Sequence, residues 1–332
     1  MTNYLSAAVI VFFAFTFSSC EKKEESIILP KANDSLQLET VSLGSNYDKQ
    51  IFLNIKTKEQ TVIENNIWDL YFDADENGHS IYMNGGKGIL IANSGSTLFK
   101  NISTPSSLNF RWDAASGIDD SLVLKNWRNE NSLQSNDSVY VVDRGIQITD
   151  DSRYMLFKIT SVNSSSYQLK IADIDGNNIH DFTVTKDKNK AHVYFSFENK
   201  GTYLNLEPNI DNWHISFLRY RWIYYQFNPP LLYTVTGIYI NNKRVKAAVD
   251  STMKFSDINP TNCAQMHFSS NRDAMGFDWK VYNFLNGKYV TRNFVNYIIS
   301  TNSPLKYYKI RFIDFYDDKG LKGTPRFEEQ GM

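Results

Sequence analysis

Cysteine is nearly missing from this chain: 332 residues hold two, Cys20 and Cys263. A disulfide framework is therefore excluded once Cys20 is committed elsewhere, and stability has to come from packed apolar cores. An excess of charge of one sign is missing too. Lys and Arg number 35 against 36 Asp and Glu, a net charge of −1, which argues against a phosphate-neutralising surface and a nucleic-acid partner. The five histidines are scattered singly, a poor start for a catalytic zinc site. No nucleophile elbow, HExxH helix or CxxC pair occurs, and near Cys263 nothing has catalytic spacing, so that thiol reads as buried and inert. The chain is not expected to be an enzyme.

Helical periodicity over three turns is almost absent as well. Short alternating or β-branched runs take its place: "VYVVDRGIQIT", "AHVYFSFE", "YTVTGIYIN", "YYKIRFIDFY". Turn clusters such as "DENGH", "NGGKG", "DIDGNN" and "DDKG" separate them. The expected class is all-β, with sandwich-type packing. The run "DADENGHSIYMN" at 73–84 has EF-hand-like residues at Asp73, Asp75, Asn77 and Gly78, but position twelve is Asn84 where a bidentate Glu is needed. It reads as a hairpin turn, with weak calcium affinity as the alternative. Asn-Gly-Gly at 84–86 is a hairpin signal.

An internal repeat organises the chain. "IWDLYF" at 67–72 and "NWHISF" at 212–217 share Trp-polar-aliphatic-x-Phe. "QIFLNI" precedes the first and "VYFSFE" the second, which aligns Phe52 with Phe195. Downstream, "MLFKITSVNSSSYQLKIADID" pairs with "NYIISTNSPLKYYKIRFIDFY". Two tandem domains follow, 36–187 and 188–332, joined at the polar "KDKNK".

The N-terminus stands outside that fold. "AAVIVFFAFTF" is too short to span a bilayer comfortably and ends in "SSC". Residues 1–20 resemble a bacterial lipoprotein signal with Cys20 as the acylated residue, although "MTNYLS" carries no Lys or Arg. Residues 21–35 are a polar tether. Its "EKKEES" is either a solvated spacer or an export signal to the outer face of the outer membrane. Anchoring by acyl chains in outer-membrane lipid, with exposure at the cell surface, is the expected location.

The stretch "NWHISFLRYRWIYYQF" at 212–227 concentrates aromatic rings around His214, Arg219 and Arg221. Strand alternation sets Trp68, Leu70 and Phe72 on one face, with Asp69 opposite. His214 takes the position of Asp69, so it is expected to be an exposed histidine. Beyond Phe217 the apolar pattern changes face, which predicts a bulge or a crossing near 218. Core packing explains the rings most simply. The alternative is an aromatic wall of Trp222 and Tyr224 beside Arg219 or Arg221, suited to a flat ligand or a sugar ring.

With "YFSFENKG", "NWHISFLRY" and the C-terminal "NYIISTNSPLKYYKIRFIDFYDDKGLKGTPRFEEQ", the second copy resembles the HmuY-like haem-binding lipoproteins. The first copy is similar to a diverged relative. The resemblance implies two tandem HmuY-like β-sandwich-type domains, capture of haem outside the cell, and its transfer to a TonB-dependent outer-membrane receptor in iron acquisition. It also implies axial iron ligands between the Trp strand and the C-terminal hairpin, histidine in the best-known members and methionine in some relatives. That interval holds Met253, Met266, His267, Met275 and Tyr282. The candidate ligands are His267, Met266 and Tyr282, all donors that haem iron accepts. Met266 and His267 are adjacent and expected on opposite faces of a strand. A non-haem binding module for a glycan or protein partner, and a structural envelope component, remain as alternatives, because framework motifs do not encode a ligand.

Overall fold

A computed structural model describes residues 36–332 apart from 101, 103 and 130. The signal, Cys20 and the tether lie outside the described residues. The fold is nearly all β, as expected. The first strands are β1 (Leu36–Thr40), β2 (Lys49–Leu53), β3 (Gln60–Glu64), β4 (Leu70–Asp73) and β5 (Ile81–Met83). Next come β6 (Leu90–Asn93), β7 (Tyr140–Asp143), β8 (Tyr154–Val162), β9 (Ser166–Asp173) and β10 (His180–Thr185). They are followed by β11 (His192–Ser196), β12 (Thr202–Leu204), β13 (Ile215–Tyr224), β14 (Leu231–Ile240) and β15 (Val245–Asp250). A single turn of helix, α1 (Pro260–Cys263), precedes β16 (Lys280–Asn283), β17 (Lys288–Thr291), β18 (Asn296–Asn302), β19 (Leu305–Tyr316) and β20 (Lys322–Gly331).

Four sheets carry the architecture, in the orders β1-β20-β19-β18-β15, β14-β13-β2-β3, β12-β11-β4-β5 and β10-β9-β8-β7-β6. Three apolar seams stack them in that sequence. Ile51, Leu53, Ile215 and Phe217 meet Ile299, Ile310, Phe312 and Phe327 in the first seam. Leu70, Phe72 and Phe195 meet Val142, Phe157 and Leu169 in the last. Phe52, Trp68, Tyr71, Tyr194 and Trp213 fill the middle one. The two inner sheets are thus covered on both faces, which is why "IFL", "LYF" and "VYF" are unbroken apolar runs with both parities buried.

The expected boundary at 187/188 is not where the sheets divide. Strand β11 pairs with β4, and β2 pairs with β13. Residues from β4 to β12 form one two-sheet unit. It is inserted between β3 and β13 of the other unit, which β1, β2 and β3 complete from the N-terminal side. Sequence alternation fixes which face a strand buries but not which strand it pairs with, so this exchange leaves no local mark.

Local settings nevertheless match between the halves. Asn84 Nδ2 donates to the carbonyls of Asn65 (2.7 Å) and Trp68 (2.9 Å). Asn241 Nδ2 donates to those of Ile210 (2.8 Å) and Trp213 (3.0 Å). The Asp69 N–H donates to the Phe195 carbonyl, and the His214 N–H to that of Leu53. These contacts equate Leu53 with Phe195, and Phe52 with Tyr194, one residue away from the sequence alignment. The rings agree. Phe52 meets Trp213 edge-on at 5.1 Å, and Tyr194 meets Trp68 edge-on at 5.0 Å. Both tryptophans precede their strands and turn into the middle seam, away from the face of Leu70 and Phe72 on which Trp68 was expected.

Candidate functional site

His214 is buried at 4% exposure, against expectation. Its Nδ1 accepts the Ile55 N–H at 3.2 Å, so the residues after β2, about 160 positions upstream, close over it. Burial first, then the nearby Lys56 and Lys58, push its pKa down to about 4. In the other unit Asp69 Oδ2 accepts the Phe197 N–H at 2.7 Å, the same role. Asp69 is fully buried and also takes Lys87 Nζ at 2.5 Å and Arg144 Nε at 3.3 Å. Both positions are therefore buried acceptors that tie a strand exit to the middle of the molecule, and neither is a ligand site. The Asp73 hairpin likewise serves its own turn: Asp73 Oδ1 accepts the Asp75 N–H at 3.0 Å, and Asn84 lies buried beneath. The Asn84-Gly85-Gly86 turn links β5 to β6 in a different sheet, so it is no hairpin within one ladder.

Strand β13 runs without a register break against β14 from Ile215↔Ile240 to Tyr224↔Leu231. The expected bulge near 218 is absent because the strand simply outruns its core. Strand β2 covers Ile215 to Phe217 only. Past that point the other face takes over, with Leu218, Tyr220 and Val235 packing on Ala115, Phe277 and Tyr239. A Cβ at Gly237 would stand 2.7 Å from the Gly276 carbonyl oxygen and 2.8 Å from the Tyr220 ring, so only glycine fits there.

The free half of this hairpin forms one wall of a cleft of about 620 Å³. The opposite wall is the β16–β17 hairpin, paired Lys280↔Thr291 to Asn283↔Lys288. Its base is fixed: Trp279 stacks on Phe312 at 4.3 Å, the Tyr289 N–H donates to Tyr316 Oη at 2.7 Å, and Thr291 Oγ1 donates to the Ile313 carbonyl at 3.0 Å. Its tip is free, with Phe284 88% and Leu285 99% exposed. Across from it Tyr233 is 55% exposed. Tyr224, Phe227, Tyr282 and Tyr289 complete an aromatic lining, with Arg219, Asp278 and Lys280 as its charged members. An apolar concavity of this size with few polar groups is the usual form of a small-molecule site.

Of the three sequence candidates, only Tyr282 lines this cleft. Met266 packs with Ala248, Cys263 and Ile298, on the side of the outer sheet turned away from Ile299 and the core. His267 beside it is exposed. The two lie in a bend after α1 rather than on a strand, because the capped turn at Asn259–Cys263 interrupts extended structure there. Of the proposed aromatic wall, Tyr224 and Arg219 belong to the cleft. Trp222 instead meets Phe277 edge-on at 5.3 Å, and Arg221 lines a separate small cavity with Met83, Trp112 and Asp113. Lys280, Tyr233 and Phe284 escaped the sequence reading. The signal for the last was present: "NFLNG" places two apolar residues inside a turn signature.

The chain is thus all-β, with an aromatic cleft between two hairpin tips. Residues 188–328 match the HmuY protein family, and the chain is HmuY-like over that stretch, which contains both walls of the cleft. The match does not reach residues 36–187. Two crystal structures are similar at low level. Apo PinO from Porphyromonas gingivitis is 10% identical and covers 90% of this chain and 98% of its own, with a TM-score of 0.35. The apo HmuY analog TFO of Tannerella forsythia is 10% identical and covers 90% and 99%, with a TM-score of 0.33. At those scores neither overlay carries an argument. No curated protein matches the chain.

Proposed function

We propose that this chain is a lipid-anchored envelope protein that binds haem or a similar planar, apolar ligand in the β13–β14/β16–β17 cleft and passes it to a TonB-dependent receptor. The observation that carries the reading is the cleft itself: two hairpins with anchored bases and exposed aromatic tips, inside the segment that matches the HmuY family. Flat aromatic walls suit a macrocycle that stacks. Among the described residues no histidine or methionine lines the cleft. Haem would therefore be held chiefly by its ring, with the Tyr282 phenol as the iron donor of the right chemistry. The family reading is of binding proteins, not enzymes. Acylation at Cys20 would supply the outer-membrane anchor, and the charged tether the reach to a receptor at the cell surface. The matching settings of Trp68 and Trp213 support descent of both halves from one unit. Titrating the purified protein with haemin tests the reading: a saturable shift of the Soret band at one equivalent is expected, and a spectrum identical to free haemin refutes it.

A further inference from the structure

We propose that Lys280 is the polar anchor of the cleft and takes a carboxylate on an otherwise apolar ring ligand. This rests on the cleft reading above and specifies its ligand as an aromatic acid. Lys280 opens β16 and lines the cleft together with Thr236. The side chain is buried, and its Nζ has one hydrogen-bond acceptor in the described structure, the Thr236 carbonyl at 2.5 Å. No ion pair to a carboxylate is formed among the described residues. The other neighbours are ring faces: Trp279 at 4.1 Å, Phe315 at 4.8 Å and Tyr289 at 5.7 Å. An ammonium has three donors, so two are left for a ligand. Buried lysines are rare unless paired, and a charged hydrogen bond made in so dry a setting is strong.

The charged and titratable groups around it are few. Asp278 lies two residues away, close enough to favour the charged amine weakly. Arg219 comes from β13, and Tyr224, Tyr233, Tyr282, Tyr289 and Tyr47 share the lining. Burial holds the Lys280 pKa down at about 7, whereas Tyr224, Tyr289 and Tyr47 are raised by the same cause. Lys280 therefore loses its charge as the pH rises through about 7. A bound carboxylate would hold the proton on, so binding of an acid weakens above pH 7 by up to about tenfold per pH unit.

The test uses wild-type protein with three probes: haemin, metal-free protoporphyrin diacid and its dimethyl ester, all delivered in the same detergent. Without iron, Tyr282 ligation drops out of the last two. The diacid is expected to bind at least about tenfold more tightly than the ester at pH 6.5. That preference should shrink toward pH 9 and disappear in Lys280→Met. If haemin binds but diacid and ester bind alike, or only haemin binds, or the preference survives in Lys280→Met, the anchor is wrong and the cleft reading stands. If no probe binds, both fall. The ester comparison is made on wild-type protein, so it holds even where Lys280→Met fails to fold.

Discussion

Acid should weaken this protein through His214 before it reaches most carboxylates. The ring is buried, and its Nδ1 accepts the Ile55 N–H, so the native state requires it neutral. Its pKa is about 4 in the fold against 6.5 in the unfolded chain. A proton is therefore bound preferentially by the unfolded state between those values, and unfolding becomes easier as pH falls. The sign is that of a depressed base: the stability is fully present above pH 6.5, drains away below it, and levels off under pH 4. The difference between about 4 and 6.5, at about 1.4 kcal/mol per pH unit, gives roughly 3.5 kcal/mol at the acid end, of which about 3 is reached by pH 4. The control is His214→Gln, which keeps an acceptor and cannot titrate. Urea unfolding at pH 8, 6, 5 and 4 gives the difference between wild type and variant. We expect wild type to lose about 3 kcal/mol relative to the variant between pH 7 and 4. A difference that stays constant across the series would show that His214 is not buried neutral, and the strand-exit role assigned to it would fail.

Other consequences are as specific. Asp69→Ala leaves Lys87 a buried cation without a carboxylate and takes from Arg144 one of its two carboxylate partners, Glu198 being the other, and should destabilise by about 3–5 kcal/mol; an effect under 1 kcal/mol in urea would argue against the network. Trp68→Ala and Trp213→Ala should each cost about 3–5 kcal/mol, and because both side chains fill one seam their combination should be non-additive by more than about 0.5 kcal/mol in a double-mutant cycle. Cys20→Ala should abolish incorporation of a fatty-acid analogue in labelled cells, since the thiol is the attachment atom. Equal labelling of mutant and wild type would remove the anchor.

Much of the fold was legible because alternation and turn chemistry are local. The strand runs, the turn at Asp73–Gly78 and the likeness of the Trp68 and Trp213 motifs needed no partner to be read. What failed was non-local. His214 looked exposed because its cover, Ile55, follows the neighbouring strand β2, about 160 residues upstream in sequence, and alternation around Trp213 started a strand two residues too early. Met266 and His267 drew attention by chemistry alone, yet α1 and the outer sheet hold them away from the cleft. Lys280 gave no signal because its partner is a backbone carbonyl on another hairpin, which no residue pattern encodes.

The most direct test of the account is where haemin binding is lost. Soret titrations should be run on wild type, on Tyr233→Ser/Phe284→Ser, and on Met266→Ala/His267→Ala, with the exposed tips of the first pair chosen so that folding is preserved. The account predicts at least about tenfold weaker binding in the Tyr233/Phe284 variant and wild-type binding in the Met266/His267 variant. Loss of binding in the Met266/His267 variant, with the cleft variant unaffected, would contradict it.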